Sequence, residues 1–365
     1  MSALFTPIRL ADLELANRIV VSPMCQYSAD QGRANDWHLT HLGMLANSGA
    51  ALLVVEATAV EARGRITHGD LGLYDGACEA ALARVVANCR RIGTARLGIQ
   101  IAHAGRKASA HVPWRGGRPL ARNEEPWETI APSPVPFGPD WPAPREMTRD
   151  DMDRVRDAHA EAAGRALRLG FDSLEVHAAH GYLLHEFLSP VSNRREDRYG
   201  GSREGRMRFP LEVAEAVRAV WPTPSPLGFR ITGRDWVEGG MELEDAVAFA
   251  RALKAVGVDF VCVSSGGIVP DARIAIAPGY QVPFAETVRR ESGMPTRAVG
   301  LIATPRQAEA IVADGKADMV ALARAFLDDP HWGWHAARTL GGEVALPPQY
   351  QRAAAKLWPA AFYAD

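Results

Sequence analysis

The sequence feature that most constrains the fold is a glycine that recurs seven positions before the end of a short strand pattern. In each repeat a helix pattern ends at the glycine, an apolar strand of about five residues follows, and a distinctive residue closes it. Glycine suits the first position because the residue that ends a helix often adopts a left-handed backbone conformation. The five pairs are Gly49 with Glu56, Gly93 with Gln100, Gly170 with His177, Gly257 with Ser264, and Gly293 with Gly300.

Less regular strand patterns bring the number of predicted strands to eight, and they lie at residues 18–22, 227–230 and 318–323. Helical patterns separate most strands, and two of them open with start signals, Thr148 with Asp151 and Thr304 with Pro305 and Gln307. This alternation predicts an α/β fold, a (β/α)8 TIM barrel. A doubly wound sheet is the alternative, but the sequence has no G-x-G-x-x-G fingerprint for it.

Length and composition allow one large core. The chain has 365 residues, of which 47% are hydrophobic, and α/β barrels use this much chain as one domain, so we expect a single domain over 1–365. A net charge of -2 argues against nucleic acid as a partner. The N-terminus lacks a signal-peptide pattern, and no apolar run is long enough to span a bilayer. The 4 cysteines lack disulfide or metal spacing, which predicts a cytoplasmic protein.

Three segments lie outside the repeat. Residues 4–16 predict a short N-terminal hairpin. Residues 104–147, after the third strand, contain nine prolines and form too long a connection for a compact domain. This loop follows a strand's C-terminal end, so it is either a lid over the active face or a surface excursion pinned to the barrel. Residues 341–365 form a C-terminal tail beyond the last helix pattern.

The strand pattern that ends at His177 is followed closely in the sequence by a second histidine, His180, and then by Tyr182. Both histidines could donate N–H bonds to one carbonyl or nitro oxygen, and Tyr182 could supply a proton. A pair of histidines is also compatible with a purely structural role. It is equally compatible with half of a zinc site that requires further ligands.

Other strand ends suit a flavin, if active-site residues gather at the C-terminal face as they do in such barrels. Gln100 offers both a donor and an acceptor to the ring's pyrimidine edge. Arg230 would place positive charge against a reduced, anionic ring. The glycine-rich ends of the last two strands, with Arg324, would hold a phosphate. None of the four lysines closes a strand, which argues against a Schiff-base aldolase.

Taken together, these residues resemble the old yellow enzyme family of flavin-dependent ene-reductases, and they are most similar to its bacterial class of xenobiotic reductases. The resemblance covers essentially the whole chain. Its motifs are SPMCQYS (22–28), VEATAV with GRIT (55–67), IQIAHAGRKAS (99–109), the 175–208 stretch, PGYQVPFA (278–285), AVGLI (298–302) and PPQY (347–350).

The resemblance implies non-covalent FMN and assigns roles residue by residue. The residues expected to hold the cofactor are Ser22, Pro23, Met24, Cys25, Ala57, Gln100, His177, Arg230, Gly300, Ala323 and Arg324. Cys25 would contact the flavin and tune its potential. The catalytic residues would be His177, His180 and Tyr182, with Tyr182 as the proton donor and Tyr27 beside the substrate. The family's pattern commonly has asparagine where this chain has Gly205, so we expect a local change in that loop.

The implied reaction is a ping-pong reduction. NADPH or NADH reduces FMN and leaves, and the activated C=C bond of an enone, enal or nitro compound is then reduced in its place. The resemblance also implies a homodimer or tetramer in which Arg352 reaches the partner's substrate pocket. Aromatic residues around it favour an interface, although the tail could instead fold back on its own barrel. Those residues are Tyr350, Trp358, Phe362 and Tyr363.

Two other functions are compatible with the same residues. One is a metal-dependent barrel hydrolase that would use His103, His177 and His180. The other is a non-catalytic flavin protein that senses redox state through Cys25. We expect no metal in the flavin protein, and purified protein would be yellow.

Overall fold

A computed structural model describes residues 2–354 and 356–358 of the chain. The predicted tail residues Phe362 and Tyr363 lie outside the described residues. The strands are β1 (Ile8–Leu10), β2 (Leu13–Leu15), β3 (Ile19–Val21), β4 (Leu52–Ala59), β5 (Arg96–Ala102), β6 (Ile130–Ala131), β7 (Arg145–Glu146), β8 (Ser173–Ala178), β9 (Leu227–Thr232), β10 (Phe260–Ser264), β11 (Thr296–Ala298) and β12 (Met319–Leu322).

The described helices follow most of the barrel strands. They are α1 (Asp36–Leu45), α2 (Gly76–Ile92), α3 (Arg149–Arg168), α4 (Leu183–Leu188), α5 (Arg203–Val220), α6 (Leu243–Ala255), α7 (Val282–Ser292), α8 (Pro305–Ala313), α9 (Arg324–Asp328) and α10 (Trp332–Leu340). Short 3-10 turns lie at Ala62–Gly64, Gly105–Lys107, Pro113–Arg115 and Pro348–Ala353. No helix in the described part of the chain is long and apolar enough to cross a membrane.

Eight strands close into one parallel barrel in the order β3-β4-β5-β8-β9-β10-β11-β12, with β12 pairing back onto β3. Each strand therefore pairs with its neighbours in the sequence, as the βα repeat requires. The prediction of a (β/α)8 TIM barrel is confirmed. The predicted N-terminal hairpin is also present, since β1 and β2 pair antiparallel with Ile8 opposite Leu15.

Alternation along the strands separates an outer core from the barrel interior. Leu174 and Val176 on β8 belong to the large apolar cluster that also contains the helices' buried faces. The residue between them, Glu175, therefore points into the barrel. There Gln100 Nε2 donates to Glu175 Oε1 at 2.6 Å, and Arg297 pairs with the second carboxylate oxygen. Gln100, Glu175 and Arg297 thus form a buried polar layer in the barrel interior, below the C-terminal face.

A smaller apolar cluster fills the barrel's opposite end. It combines interior residues such as Val20, Leu52 and Phe260 with Leu10 and Leu15 of the hairpin. The hairpin thus closes the N-terminal end of the barrel. Functional side chains are left to the other end, where the strands' C-termini open to solvent.

Four of the five repeat glycines have the predicted positive φ, namely Gly49 (84°), Gly170 (81°), Gly257 (86°) and Gly293 (65°). The prediction is wrong for Gly93, whose φ of -91° is ordinary extended backbone. A Cβ at Gly93 would lie 2.5 Å from the Cβ of Ala46, at the end of α1. Gly93 is therefore required by the close approach of two helix ends and not by left-handed geometry.

Two strands run further than the sequence patterns predict. β4 continues past Glu56 to Ala59, and β5 continues past Gln100 to Ala102. Their pairing shifts register after Val55 and resumes at Thr58. This irregularity twists β4 locally and displaces Ala57, which the sequence places at a strand end, from regular pairing.

Both predicted helix starts are present. Thr148 and Asp151 form a reciprocal capping box. Thr304 accepts a bond from the backbone N–H of Gln307, but the Gln307 side chain accepts from Ala303 instead of completing a box. At Gly205, in the first turn of α5, a Cβ would lie 2.2 Å from the carbonyl oxygen of Gly200. The loop before α5 therefore passes closer to the helix than a larger residue allows.

Residues 104–147 cross the C-terminal face and are attached to it at several points. Arg106 Nη1 donates to the carbonyl oxygens of Val135 and Pro136, at 3.0 and 3.2 Å. Trp127 Nε1 donates to the Arg63 carbonyl oxygen at 3.0 Å. Trp114 stands at the outer edge with 68% of its surface exposed. The loop thus has fixed points near the barrel and an exposed tip.

The described part of the tail packs against α10. Tyr350 lies edge-on to Trp334 with ring centroids 5.8 Å apart, and Arg338 donates to the Ala353 carbonyl oxygen at 2.7 Å. Trp358 lies under the Arg338 guanidinium yet remains 48% exposed, and Arg352 is exposed as well. The tail therefore contacts its own barrel while presenting aromatic and cationic side chains outward.

Candidate active site

A cavity of about 640 Å³ opens at the C-terminal ends of the barrel strands. It brings together six of the residues predicted to form the site, Ser22, His180, Arg230, Gly300, Ala323 and Arg324. Ala57 and Tyr182 line a separate, smaller pocket together with Asp70, and Tyr27 lines another together with Trp114. Arg352 is not among the residues that line it.

His177 and His180 are neighbours at the end of β8. Their ring centroids lie 5.0 Å apart, and His177 Nε2 lies 3.3 Å from His180 Nδ1. The Ala179 backbone N–H donates to His177 Nδ1 at 3.2 Å, so that ring carries its proton on Nε2. His177 therefore donates to His180 Nδ1, and His180 carries its own proton on Nε2.

The second histidine is anchored on β10. His180 Nε2 lies 2.6 Å from Ser264 Oγ, and the Ser264 hydroxyl donates to Gln281 Oε1 at 3.1 Å. Gln281 Oε1 also accepts from the Ser265 hydroxyl at 2.8 Å. One directed chain of donors thus runs from the Ala179 N–H through both imidazoles to Gln281.

Both imidazoles are neutral. Burial, and then the nearby Arg230 guanidinium, hold the pKa of His177 and of His180 well below the usual histidine value. Neutral imidazole can present an N–H to a developing negative charge and an acceptor nitrogen to a donor. Each imidazole can consequently carry its proton on the nitrogen that suits the bound group, and it can donate to that group or accept from it.

Tyr182 completes the ring cluster. Its ring lies edge-on to His177 with centroids 4.9 Å apart. Burial, and then the proximity of Cys25 and Asp70, raise the pKa of its phenol. Tyr182 is therefore protonated at neutral pH, as a proton donor must be before it acts.

The segment after β3 carries Cys25 and Tyr27 towards the same face. The Gln26 backbone N–H donates to the buried Glu56 carboxylate at 2.8 Å, and Tyr27 has a left-handed φ of 50°. Burial, and then the Asp70 and Glu56 carboxylates, raise the pKa of the Cys25 thiol well above its usual value. Reactive and redox-sensing cysteines normally have a lowered pKa. The environment of Cys25 thus argues against a sensor that works through its thiolate.

His103 belongs to a different cluster from the two histidines of β8. Its Nε2 lies 3.0 Å from Glu61 Oε1, and the Gly105 N–H donates to its Nδ1 at 3.0 Å. Both ring nitrogens are thus engaged away from His177. Among the described residues no group of three or more His, Cys, Asp or Glu side chains is arranged to hold a metal ion.

Comparison with known proteins identifies the family. A family model described as NADH:flavin oxidoreductase / NADH oxidase matches residues 3–342. The chain belongs to this family, that of the old yellow enzymes. An NADPH dehydrogenase of Geobacillus thermodenitrificans is 46% identical to the chain over 353 residues, which cover 96% of this chain and 98% of that protein.

Solved structures agree with the old yellow enzyme fold. Morphinone reductase superposes with a TM-score of 0.77 at 27% identity, over 95% of this chain and 92% of that one. A 2-naphthoyl-CoA reductase in complex with 2-naphthoyl-CoA superposes with a TM-score of 0.83 at 25% identity, over 92% of this chain and 52% of that chain. The protein is an FMN-dependent oxidoreductase that takes hydride from a nicotinamide coenzyme, as its sequence motifs predict.

The residues around the cavity fit FMN. Arg230 Nε is buried and has no hydrogen-bond partner among the described residues, so it is a donor that a flavin's acceptor atoms would satisfy. Gly300 has a φ of 108°, and a Cβ there would lie 2.8 Å from Gln281 Nε2. Gln281 therefore leaves no room for a side chain at this position, and Gly300 lines the cavity together with Arg324, whose guanidinium could hold a phosphate.

Old yellow enzyme motifs also contain site residues to which the sequence alone assigned no role. Gln281 lies in PGYQVPFA, Glu56 in VEATAV, and Lys107 in IQIAHAGRKAS. Ser264 was identified as a strand end but not as the partner of His180. The available signal was the motif itself, because Lys107 and Ser264 each reach His180 from more than seventy positions away in the sequence.

Proposed function

We propose that this old yellow enzyme is an ene-reductase for the C=C bonds of α,β-unsaturated carbonyl and nitro compounds. The observation that carries the proposal is the single cluster of His177, His180 and Tyr182 beside the cavity. It offers two neutral imidazoles and one protonated phenol on the same face. Such a set matches a substrate that develops negative charge on one oxygen and needs a proton on a nearby carbon.

Substrate binding requires both imidazoles to donate. His177 already carries its proton on Nε2, whereas His180 would have to move its proton to Nδ1. Ser264 permits this change, because its hydroxyl can turn from Gln281 and donate to His180 Nε2 instead. The two donors then hold the carbonyl or nitro oxygen as its negative charge grows.

FMN, when bound, would supply the hydride for the β-carbon of the substrate. Tyr182 is suited to protonate the α-carbon, since burial keeps its phenol protonated. Tyr27 and Trp114, with ring centroids 5.7 Å apart, would flank the substrate on the outer side. The coenzyme, NADPH or NADH, would bind first at the same open face and reduce the flavin. It would then dissociate, and the substrate would bind in its place, as in a ping-pong reaction.

Cofactor contacts are proposed to follow the family's pattern. Arg230 would stabilise the anionic reduced ring, Cys25 would tune its potential, and Gln100 would meet its pyrimidine edge. Glu175 fixes the direction of the Gln100 amide from below. The other proposed contacts are Ser22, Pro23, Met24, Ala57, His177, Gly300, Ala323 and Arg324.

Residues 1–365 are proposed to act as one barrel unit in a cytoplasmic homodimer or tetramer. The segment 104–147 would border the substrate site, and the tail at 341–365 would contact a second subunit. Support comes from the exposure of Arg352, Tyr350 and Trp358 at the end of the described tail. Arg352 would then enter the substrate pocket of the neighbouring subunit.

The proposal is tested by separating flavin binding from substrate binding. His177→Ala and His180→Ala should retain FMN and lose about 1.5–3 kcal/mol of affinity for 2-cyclohexenone, the usual contribution of a hydrogen bond to a charged group. Tyr182→Phe should bind the enone yet reduce it slowly. Tyr74→Phe is the matched control, because the Tyr74 hydroxyl bonds to the Gln31 carbonyl outside the cavity.

Affinity and product are both measured. Anaerobic titration gives the enone affinity of each variant, and gas chromatography counts the cyclohexanone formed per NADPH. Enone affinity that is unchanged in both histidine variants would contradict the proposed oxygen-binding site. NADPH oxidation that consumes only oxygen and yields no cyclohexanone would contradict ene-reductase activity while leaving the flavin oxidoreductase intact.

A further inference from the structure

The ammonium group of Lys107 joins the turn after β8 to the turn after β10. Its Nζ donates to the carbonyl oxygen of His180 at 2.8 Å and to that of Gly267 at 3.1 Å. The same atom lies 5.0 Å from the ring centroid of Tyr182 and 4.6 Å from that of Phe137. Lys107 thus contacts the backbone of one proposed substrate-binding residue and the ring of the proposed proton donor.

These two turns are unusually close. A Cβ at Gly181 would lie 2.1 Å from the Gly267 carbonyl oxygen, and one at Gly267 would lie 2.7 Å from the His180 carbonyl oxygen. His180 itself has a left-handed φ of 59°, which is a strained backbone conformation for a non-glycine residue. Two carbonyl dipoles therefore converge on Lys107, and a strained backbone carries the imidazole. A cation at this point stabilises the two carbonyl dipoles through hydrogen bonds, and it thereby helps to hold the strained backbone of His180.

The neighbouring residue extends the attachment to the long loop. Arg106 Nη2 donates to the Ile268 carbonyl oxygen at 2.6 Å, next to Gly267, while Nη1 reaches residues 135 and 136. The buried Glu186 on α4 accepts from the Arg106 N–H at 2.8 Å and faces both cations. The described charged or titratable groups that face Lys107 are Arg106, Glu186, His177, His180 and Tyr182.

Burial makes this cation titratable at moderate pH. It lowers the pKa of Lys107 to about 8, against the opposing effect of Glu186. Burial also raises the pKa of Glu186 to about 8. Lys107 and Glu186 would therefore change charge over the same pH range. A variant of Lys107 is needed to show which of the two groups causes a given pH dependence.

We infer that Lys107 is a positioning residue for the substrate, because its ammonium holds the turn in which His180 meets the substrate oxygen. The inference rests on the proposed role of His180 in binding that oxygen. Below about pH 8 the ammonium bridges both carbonyl oxygens. Above it the neutral amine binds them more weakly, and the turn relaxes away from the geometry that binding needs.

The test compares enone binding in Lys107→Met and Lys107→Arg with wild type. Each FMN-loaded protein is reduced anaerobically and mixed with increasing 2-cyclohexenone, which has no titratable group, at pH 6.5–10. Stopped-flow reoxidation gives the enone Kd and the limiting rate separately. FMN affinity and thermal unfolding are recorded beside them. The matched control is Lys254→Met, because Lys254 also donates to two carbonyl oxygens, those of Ser292 and Gly293, but on the helical exterior.

Lys107→Met should weaken enone binding by about 10- to 100-fold, the loss expected for a charge-assisted hydrogen bond, while keeping FMN. Wild-type affinity should fall above about pH 8. Lys107→Arg should restore affinity at pH 7 and stay flat to pH 10, since a guanidinium does not titrate there. Lys254→Met should match wild type throughout.

Three results would overturn the inference. One is wild-type enone affinity in Lys107→Met. A second is a fall near pH 8 that persists in Lys107→Arg, which would assign the titration to Glu186. The third is enone affinity in Lys107→Met that falls only in proportion to FMN affinity. Wild-type protein that binds no enone at any pH would instead overturn the proposed function on which the inference rests.

Discussion

His180 Nε2 and Ser264 Oγ lie 2.6 Å apart, and this contact decides which nitrogen of His180 faces His177. With its proton directed at Ser264, His180 presents an acceptor to the His177 Nε2–H. The state without substrate is thus internally satisfied. Both imidazoles can donate to a substrate oxygen only after the hydrogen bond between His180 and Ser264 reverses its direction, so that the Ser264 hydroxyl donates to His180 Nε2.

Ser264→Ala should remove the acceptor that holds the His180 proton on Nε2. The variant should populate both tautomers, because the buried Nε2–H would otherwise lose its partner at a cost of about 1–3 kcal/mol. Nitrogen-15 NMR of labelled histidine measures the tautomer directly. Ser264→Thr keeps a hydroxyl and is the control. A single, unchanged tautomer in Ser264→Ala would show that Ser264 does not set it.

Arg230→Met should lower the flavin midpoint potential, because a cation near the ring favours the anionic reduced form. A fall of about 30 mV or more is expected, which corresponds to about 1.4 kcal/mol for two electrons. Spectroelectrochemistry measures it, with Arg230→Lys as the charge-retaining control. An unchanged potential at full FMN occupancy would remove Arg230 from the flavin site.

Cys25→Ala should shift the flavin potential and retain part of the turnover, since the thiol tunes the ring without forming a covalent bond. Its raised pKa predicts slow alkylation by iodoacetamide at pH 7, with a rate that rises as the pH rises. Mass spectrometry of the labelled peptide follows the reaction. Rapid alkylation at pH 7, or complete loss of activity with normal FMN binding, would contradict a tuning role.

Arg352 should act in the neighbouring subunit. Mixing Arg352→Ala with His177→Ala and allowing subunits to exchange should restore part of the activity, because one mixed site carries both lesions and the other carries neither. Native mass spectrometry verifies the exchange. No recovery after verified exchange would contradict the proposal, as would a monomer with full activity.

The barrel could be predicted from sequence because its signal is local. A glycine, a short apolar strand and a closing residue recur in register, and each is set by one helix end and one strand. Gly93 shows where this reasoning ends. Its pattern matches the other glycines, but its cause is the contact with Ala46 on another helix, which no local pattern encodes.

The site divides in the same way. His177, His180 and Tyr182 share one turn, so spacing alone brings them together. Lys107 reaches that turn from the loop after β5, and no periodicity predicts where a long side chain ends. Glu175 is similar, since its partner Arg297 lies on β11 and meets it only when the barrel closes.

The central claim is most directly tested by a single anaerobic turnover. Protein with stoichiometric FMN is reduced by NADPH, freed of coenzyme by gel filtration, and mixed with 2-cyclohexenone while flavin absorbance is followed. The predicted result is that the flavin is reoxidised with one cyclohexanone formed per flavin. In His177→Ala, which should retain FMN, this reoxidation by the enone should not occur. Reduced flavin that persists with the enone but reoxidises on adding oxygen would contradict the ene-reductase assignment.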